Sequence, residues 1–180
     1  MKRLMTAGLF LGALGAFFLP FVEATFAPDA PAPALEQLGL PARAEVTFTG
    51  IDLVRAGVDA AASRSDPDEV VKAATRELLF GGKETVDSQL WTIGALAAGG
   101  VGLLLTLRQW RIGAIVATLL GAAGVGALLL AKSEIDRRAG TAQASGLALT
   151  FLYGLWTSIG LFAGTAVSGL YRLGADRKPA

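Results

Sequence analysis

The sequence contains no cysteine and no histidine among its 180 residues. Without cysteine the chain cannot form a disulfide or supply a thiolate, and without either residue type it has no zinc site built from cysteine and histidine. A serine or cysteine nucleophile activated by histidine is also excluded, and haem would lack its usual imidazole ligand. We therefore predict no catalytic residue, no cofactor-binding residue and no metal site.

Charged residues are missing from three long apolar segments in the C-terminal half, at 88–107, 112–131 and 146–170. Each segment has about the 20 residues that an α-helix needs to cross a bilayer, and 53% of the whole chain is hydrophobic. We therefore predict three transmembrane helices within residues 88–170. Because charges inside a membrane usually mark ion and proton pathways, their absence disfavours a proton-coupled transporter.

Residues 1–22 contain a fourth apolar segment, which is preceded by the basic residues Lys2 and Arg3. One interpretation is a signal peptide with a small-residue cleavage site ending at Ala24. The other is a retained first transmembrane helix, because the apolar run is long for a signal peptide. The spacing of Gly8 and Gly12 also allows close helix packing. We predict the retained helix and keep the signal peptide as the alternative.

Residues 23–87 form a polar segment with twelve acidic and six basic residues. Strict alternation predicts a short strand over Glu45–Thr49, and the spacing of apolar residues predicts short helices over 51–62 and 66–80. Large apolar residues are few, so the segment has little material for a core of its own. We expect it to dock on the ends of the membrane helices or on a partner protein.

Basic residues near the ends of the apolar segments predict the orientation in the membrane. In a four-span arrangement one side receives Lys2, Arg3, Arg108, Arg111, Arg172, Arg177 and Lys178. Both termini are therefore expected in the cytoplasm, with residues 171–180 as a cytoplasmic tail and the acidic segment outside. Lys132, Arg137 and Arg138 after the third span oppose this rule. The i,i+4 spacing of Lys132 to Asp136 and of Glu134 to Arg138 predicts that the helix of this span continues past the membrane with its charges paired. Aromatic side chains at Trp91, Trp110 and Tyr171 are predicted to anchor the helices at the two interfaces.

Small residues recur at four-residue intervals in all four apolar segments. The predicted helix-packing positions are Gly8, Gly12, Gly94, Ala98, Gly102, Ala114, Thr118, Ala122, Gly126, Gly160, Gly164 and Ser168. Lipid tails provide no hydrophobic reward for helix association, so close backbone approach must supply packing energy. These faces serve either the bundle itself or association with a second subunit, and a homo-oligomer is one form of the second case.

Two short segments carry a resemblance to known proteins. Residues Phe18–Val22 read FLPFV and Thr49–Leu53 read TGIDL. This pattern resembles small bacterial four-span membrane proteins in which a proline-ended first helix leads to a Thr-Gly-hydrophobic-Asp-Leu segment. The layout is also similar to that of claudins, with four spans, a long first outer loop and a short inner turn. The chain lacks the tryptophan-rich, two-cysteine signature of that loop, so the resemblance implies topology and no activity.

The predicted fold class is an all-α membrane protein, a four-helix transmembrane bundle with a small extracytoplasmic domain of short helices, with or without a short strand. The predicted function is that of a non-enzymatic accessory or scaffold subunit of a bacterial inner-membrane assembly. Its predicted partners are the lipid bilayer and proteins that meet the loop 23–87 or the small-residue faces. The net charge of +1 argues against nucleic acid. The alternatives are a small channel or transporter, and a membrane enzyme using carboxylates such as Asp52 or Asp59.

Overall fold

The computed structural model describes residues 2–26, 45–55, 86–108, 113–142 and 147–175. Along these residues the elements are α1 (Lys2–Ala16), β1 (Pro20–Phe26), β2 (Glu45–Thr49), α2 (Gly50–Arg55), α3 (Val86–Leu107), α4 (Gly113–Ala142), β3 (Leu147–Phe151) and α5 (Tyr153–Ala175). The described residues are mostly helical, as predicted, and three short strands form a small sheet where the prediction allowed one short strand. The predicted strand at Glu45–Thr49 is present with the same bounds.

The four long helices of the described residues pack side by side in the order α1, α3, α4, α5, and α5 closes the ring on α1. Contacts along the α1–α5 interface run in opposite chain directions. The hydroxyls of Thr6 and Ser168 lie 3.0 Å apart, whereas Gly12, further along α1, lies beside Leu161, which is earlier in α5. The bundle is therefore antiparallel at this interface, as expected for helices in up-down order.

The first helix is shorter than the predicted span of residues 1–22, because α1 ends at Ala16. Three turn-type hydrogen bonds continue the winding, the last from Leu19 N to Ala16 O at 3.0 Å. Pro20 then begins β1. Proline has no backbone N–H and disfavours helical geometry in the residue before it, so the helix cannot pass this position.

The third apolar segment also divides into two elements. Residues 147–151 form β3, and the helix starts at Tyr153 rather than at the beginning of the segment. Leu147, Leu149 and Phe151 alternate with smaller or polar residues, which is the period of a strand with one buried face. The alternation was not recognised because the whole segment lacks charged residues. A continuous apolar run of this kind is compatible with a buried strand as well as with a membrane helix.

The three strands form an antiparallel sheet in the order β2–β1–β3. Val22 pairs with Phe48 on one face, and both side chains are buried. Glu23 pairs with Thr47 and Thr150 on the other face, where both threonines are exposed. The sheet therefore turns an apolar face to the molecule and a polar face outward. We use "sheet end" for the end of the bundle that carries it and "far end" for the end where α1 and α4 begin.

A bulge in β1 allows two successive side chains to be buried. The register shifts between Pro20 and Val22, so Phe21 and Val22 both lie in the interior instead of on opposite faces. The ring centroids of Phe21 and Phe17 lie 5.3 Å apart. The backbone carbonyl of Phe21 accepts a hydrogen bond from Leu152 N at 2.8 Å. Bulges commonly redirect a side chain in this way, and here the bulge connects the sheet to α1 and to the start of α5.

Aromatic side chains fill the middle of the bundle. Phe10 of α1 and Phe162 of α5 are fully buried, and their rings meet edge to face with centroids 6.4 Å apart. Aromatic pairs prefer this arrangement because the positive ring edge meets the negative ring face. Phe17 and Phe21 extend the same core to the sheet end.

Helix α4 carries its charges at the sheet end. Lys132 pairs with Asp136 at 2.5 Å, as the sequence predicts, and Glu134 pairs with Arg137 at 2.7 Å. The predicted partner of Glu134 was Arg138, whose side chain lies outside the described part of the chain. With 30 residues the helix is about 45 Å long, so it exceeds the roughly 30 Å of a hydrocarbon layer. The ammonium of Lys132 also lies 4.5 Å from the centre of the Phe151 ring, which connects this charged end to β3.

Candidate functional site

Two helices of the described residues are long and apolar enough to cross a membrane. They lie at Leu90–Leu107 in α3 and Gly113–Arg137 in α4, with mean hydropathies of 1.8 and 2.3. Helix α1 contributes a shorter apolar stretch, Leu4–Ala16. The four-span prediction is therefore supported by length and composition for two helices, and not for α1 or α5.

Helix α5 has 23 residues, but hydroxyl, glycine and aromatic residues lower its hydropathy. Its buried hydroxyls are satisfied within the bundle. Ser158 donates to Gly154 O at 2.9 Å and Thr165 donates to Leu161 O at 2.9 Å. Side-chain bonds of this kind remove the cost of burying a hydroxyl in an apolar medium. These two hydroxyls of α5 thus lie in the interior.

The same inward placement of hydroxyls recurs on the other three long helices. Thr106 of α3 donates to Gly102 O at 2.7 Å, and Thr118 of α4 donates to Ala114 O at 2.9 Å. On α1, Thr6 shares its bond with Ser168. Each of the four long helices therefore turns at least one hydroxyl side chain to the interior of the bundle.

Large apolar side chains cover the outside of all four long helices. Examples with more than half of their surface exposed are Leu11 of α1 at 61%, Leu104 of α3 at 68%, Leu119 of α4 at 63% and Val167 of α5 at 64%. A helix of a water-soluble bundle places its apolar stripe inward and its charged face outward. This bundle is apolar on its outer surface as well as in its core, which suits a hydrocarbon surrounding.

Seven of the twelve predicted packing positions lie inside the bundle or at a helix contact: Gly12, Ala98, Gly102, Ala114, Thr118, Gly164 and Ser168. Gly102 illustrates their role, because a Cβ there would collide with the ring of Phe10. Glycine at this position therefore allows a full aromatic ring to lie against the backbone of α3.

The other five predicted packing positions lie on the outer surface: Gly8, Gly94, Ala122, Gly126 and Gly160. At each of the four glycines an added Cβ would meet nothing within 4 Å. These residues take no part in packing the bundle of a single chain. They leave shallow places on its outer surface instead.

Five close-packed glycines of the long helices were missed by the four-residue spacing: Gly99, Gly121, Gly124, Gly154 and Gly169. Gly121 lies against the backbone of α5. A Cβ there would lie 2.7 Å from Ala166 N and 2.8 Å from Phe162 O. Gly121 and Gly124 are three residues apart, a spacing that also shares one helix face. That three-residue interval was the available signal, and the four-residue rule selected Gly126 instead.

An apolar groove of about 380 Å³ lies between α3 and α4 on the outer surface. Its lining consists of Leu90, Trp91, Gly94, Ala123 and Ala127. Two of the three small residues in this lining belong to α4, and Trp91, with 42% of its surface exposed, stands beside them. The groove therefore combines a wide opening with small lining residues that permit close approach of another apolar chain.

The interface anchors predicted at Trp91 and Tyr171 occupy opposite ends of the bundle. Trp91 lies in the second turn of α3 at the sheet end, and Tyr171 lies near the end of α5 at the far end, with 68% of its surface exposed. This placement matches two separate interfaces, and the anchoring role itself stays a prediction. Trp110 falls outside the described residues.

The segments FLPFV and TGIDL meet in space at the sheet end. Thr49 caps α2, because its hydroxyl accepts from Asp52 N at 3.1 Å while the Asp52 carboxylate accepts from Thr49 N at 2.9 Å. This reciprocal arrangement is a capping box with aspartate in place of the usual glutamate. Gly50 between them lies against Phe17 and Phe21, where a Cβ would stand only 2.8 Å from the Phe21 ring.

This capping arrangement gives Asp52 a structural role. Its carboxylate also accepts from the hydroxyl of Thr49 at 2.8 Å, so its Oδ2 atom takes two hydrogen bonds. Asp59, the other carboxylate considered for catalysis, lies outside the described residues. Among the described residues there is no group of three or more acidic residues that could hold a metal ion. Asp52 therefore stabilises the start of α2.

Comparison with known proteins found no match for this chain among family models, curated proteins or solved structures. Its function has to be argued from the distribution of its own residues.

Proposed function

We propose that this chain is a four-span membrane protein that serves as a non-enzymatic accessory or scaffold subunit of a bacterial inner-membrane assembly. In this proposal α1, α3, α4 and α5 cross the bilayer and both termini lie in the cytoplasm. The sheet and the acidic loop 23–87 lie on the outer side. The protein provides surfaces that bind partner subunits, and it catalyses no reaction.

The apolar outer surface of the four long helices is the observation that carries the proposal. Each of the four long helices turns at least one hydroxyl to the interior, and large apolar side chains cover the outer faces of all four. Exposing so many leucine and valine side chains to water is unfavourable, because each buried side chain of this size is worth roughly 2 kcal/mol relative to water. The same pattern supports α1 and α5 as spans, although their length or hydropathy is low.

Partner binding is supported by the outer face of α3 and α4. Gly94 and Gly126 have open space around them, and the groove beside Trp91 offers a concave apolar surface. Membrane helices associate through small residues because these allow close contact of backbones. We therefore place the partner contact on this face, with the outer loop as a second contact.

The alternative of a small channel or transporter has less support from the interior. Phe10 and Phe162 fill the middle of the bundle and are fully buried, while the hydroxyls of Ser158 and Thr165 are bonded to their own helix. A pore needs a continuous polar path. Flux through liposomes that exceeds the rate of empty vesicles would favour the channel over the scaffold.

The absence of cysteine allows a direct test of topology. Single-cysteine variants T150C, on the outer sheet face, and R108C, at the far end, are labelled in intact spheroplasts with a membrane-impermeant maleimide. We expect T150C to react at once and R108C to react only after permeabilisation. Equal labelling of both variants in intact cells would contradict the four-span arrangement.

The scaffold role is tested by purification in a mild detergent and by two variants of the outer surface. Gly94→Leu fills the groove between α3 and α4, whereas the control Gly160→Leu adds the same side chain to open space on α5. We expect a co-purifying subunit to be lost from Gly94→Leu and retained by Gly160→Leu. A homogeneous monomer of the unchanged protein, with no associated chain, would count strongly against the proposal.

A further inference from the structure

Arg172 in the last turn of α5 has an unsatisfied donor. Its guanidinium nitrogen Nη1 is buried and has no hydrogen-bond partner among the described residues. Arginine keeps its charge under all ordinary conditions and carries five N–H donors in a rigid plane. Buried donors in native proteins are nearly always paired, so an unpaired one points to a group that binds there.

The position of Arg172 places it at the far end of the bundle between two other helices. One turn earlier, Ser168 meets Thr6 of α1, and Gly169 lies against Ala114 and Thr118 of α4. Arg172 is therefore level with the first turns of α1 and α4. This is the end at which the proposed membrane helices meet the cytoplasmic surface.

No acidic residue occurs among the described residues of the far end, which comprise 2–6, 104–108, 113–117 and 168–175. The same ranges contain the basic residues Lys2, Arg3, Arg108 and Arg172. A cation in the last turn is favourable for the dipole of α5, and this effect explains the charge of Arg172. It does not supply an acceptor for the buried nitrogen.

We infer that Arg172 binds the phosphate of an anionic ligand at the far end of the bundle. Phosphate matches the fork of guanidinium donors and accepts two parallel hydrogen bonds. Leu170 and Tyr171, next to it in the chain, have 58% and 68% of their surface exposed, so an acyl chain and a headgroup could both be accommodated. If the phosphate belongs to a phospholipid, the inference rests on the proposed membrane location. An inorganic phosphate ion would be recognised by the same hydrogen bonds.

The test uses the full-length purified protein and the variants R172Q, R172K and R108Q. Arg108 is the matched control, because its side chain is an exposed arginine at the same end. Binding is measured from the shift in thermal midpoint during titration with phosphatidylglycerol in mixed micelles, with phosphatidylcholine as the neutral lipid and with inorganic phosphate as the soluble anion. Circular dichroism and size-exclusion chromatography verify that each variant is folded.

We expect phosphatidylglycerol to stabilise the unchanged protein more than phosphatidylcholine does. Because hydrogen bonds to charged groups are worth about 1.5–3 kcal/mol, R172Q should weaken binding about tenfold or more. R108Q should bind like the unchanged protein. R172K keeps the positive charge but lacks the planar guanidinium donors, so its affinity for phosphatidylglycerol should lie between those of R172Q and R108Q. R172K also serves as the test variant if R172Q does not fold.

The arms of the titration separate the possible results. Stabilisation by inorganic phosphate that depends on Arg172, with no preference for phosphatidylglycerol, would retain the site and assign it to a soluble anion. Equal losses in R172Q and R108Q would indicate diffuse attraction and overturn the inference, as would no response to either phosphate source. Alkaline extraction of membranes tests the proposed location separately, so a failure of that proposal is distinguishable from a failure of the phosphate site.

Discussion

Glycines on the inner and outer faces of this bundle have the same chemistry and opposite surroundings. Gly121 and Gly102 lie so close to a neighbouring helix that a methyl group would collide with backbone or with an aromatic ring, whereas Gly94 and Gly126 face open space. The comparison shows that a small residue at a regular interval carries two separate meanings. On the inner face it sets the distance between helices of one chain, and on the outer face it leaves room for another chain.

The comparison extends to the larger side chains. Inside the bundle, aromatic rings are fully buried against glycines, while outside, leucine and valine side chains project into the surroundings. In the proposed membrane location, moving a leucine from lipid into the bundle gains little free energy, because lipid tails are as apolar as leucine. The stability of the bundle then depends mainly on dense packing of its interior. Inner and outer substitutions of similar type should therefore differ sharply in their effect on stability.

The largest difference is expected between Phe10→Ala and Leu11→Ala. Phe10 is fully buried against Phe162, and Leu11 next to it has 61% of its surface exposed. Removing a buried phenylalanine leaves a cavity and costs about 4 kcal/mol of unfolding free energy, while the outer substitution should cost less than about 1 kcal/mol. Denaturation by SDS in mixed micelles measures both values. Similar losses for the two variants would contradict the proposed inner and outer faces.

The next difference is expected within one helix, between Gly121→Val and Gly126→Val. At Gly121 the new side chain meets backbone atoms of Ala166 and Phe162, which can move only if α4 and α5 separate. Overpacking of this kind costs about 2–3 kcal/mol. Gly126 has nothing within 4 Å of an added Cβ, so valine there should leave the thermal midpoint nearly unchanged. If Gly126→Val lowers the thermal midpoint only when a partner protein is present, this face of α4 is instead identified as an interface.

The smallest difference is expected at the sheet end, between Thr49→Ala and Thr47→Ala. Thr49 forms the capping box with Asp52, and loss of such a cap costs about 1 kcal/mol. Thr47 lies on the exposed face of β2 and should contribute less than about 0.5 kcal/mol. A double-mutant cycle of Thr49→Ala and Asp52→Ala tests the pairing, since independent residues would give additive losses.

Sequence reasoning recovered the features that depend on local chemistry. The strand Glu45–Thr49 followed from strict alternation, and the Lys132–Asp136 pair followed from helical spacing. Two element boundaries could not be derived in the same way. Residues 17–22 and 147–151 continue apolar runs without a charge, and a run of this kind is compatible with a buried strand as well as with a helix. Pairing between β1 and β3, which are more than 120 residues apart in sequence, decided these two cases.

The sequence by itself determined the exclusion of cysteine and histidine chemistry, the apolar character of the long helices and the four-residue intervals of small residues. Such an interval defines one face of a helix, but it contains no information on which neighbour that face meets. Tertiary packing alone decided that Gly102 faces Phe10 and that Gly94 faces outward. It also brought FLPFV and TGIDL together around Gly50. The physical reason is that helix faces follow from local geometry, whereas the occupant of each face depends on residues distant in the chain.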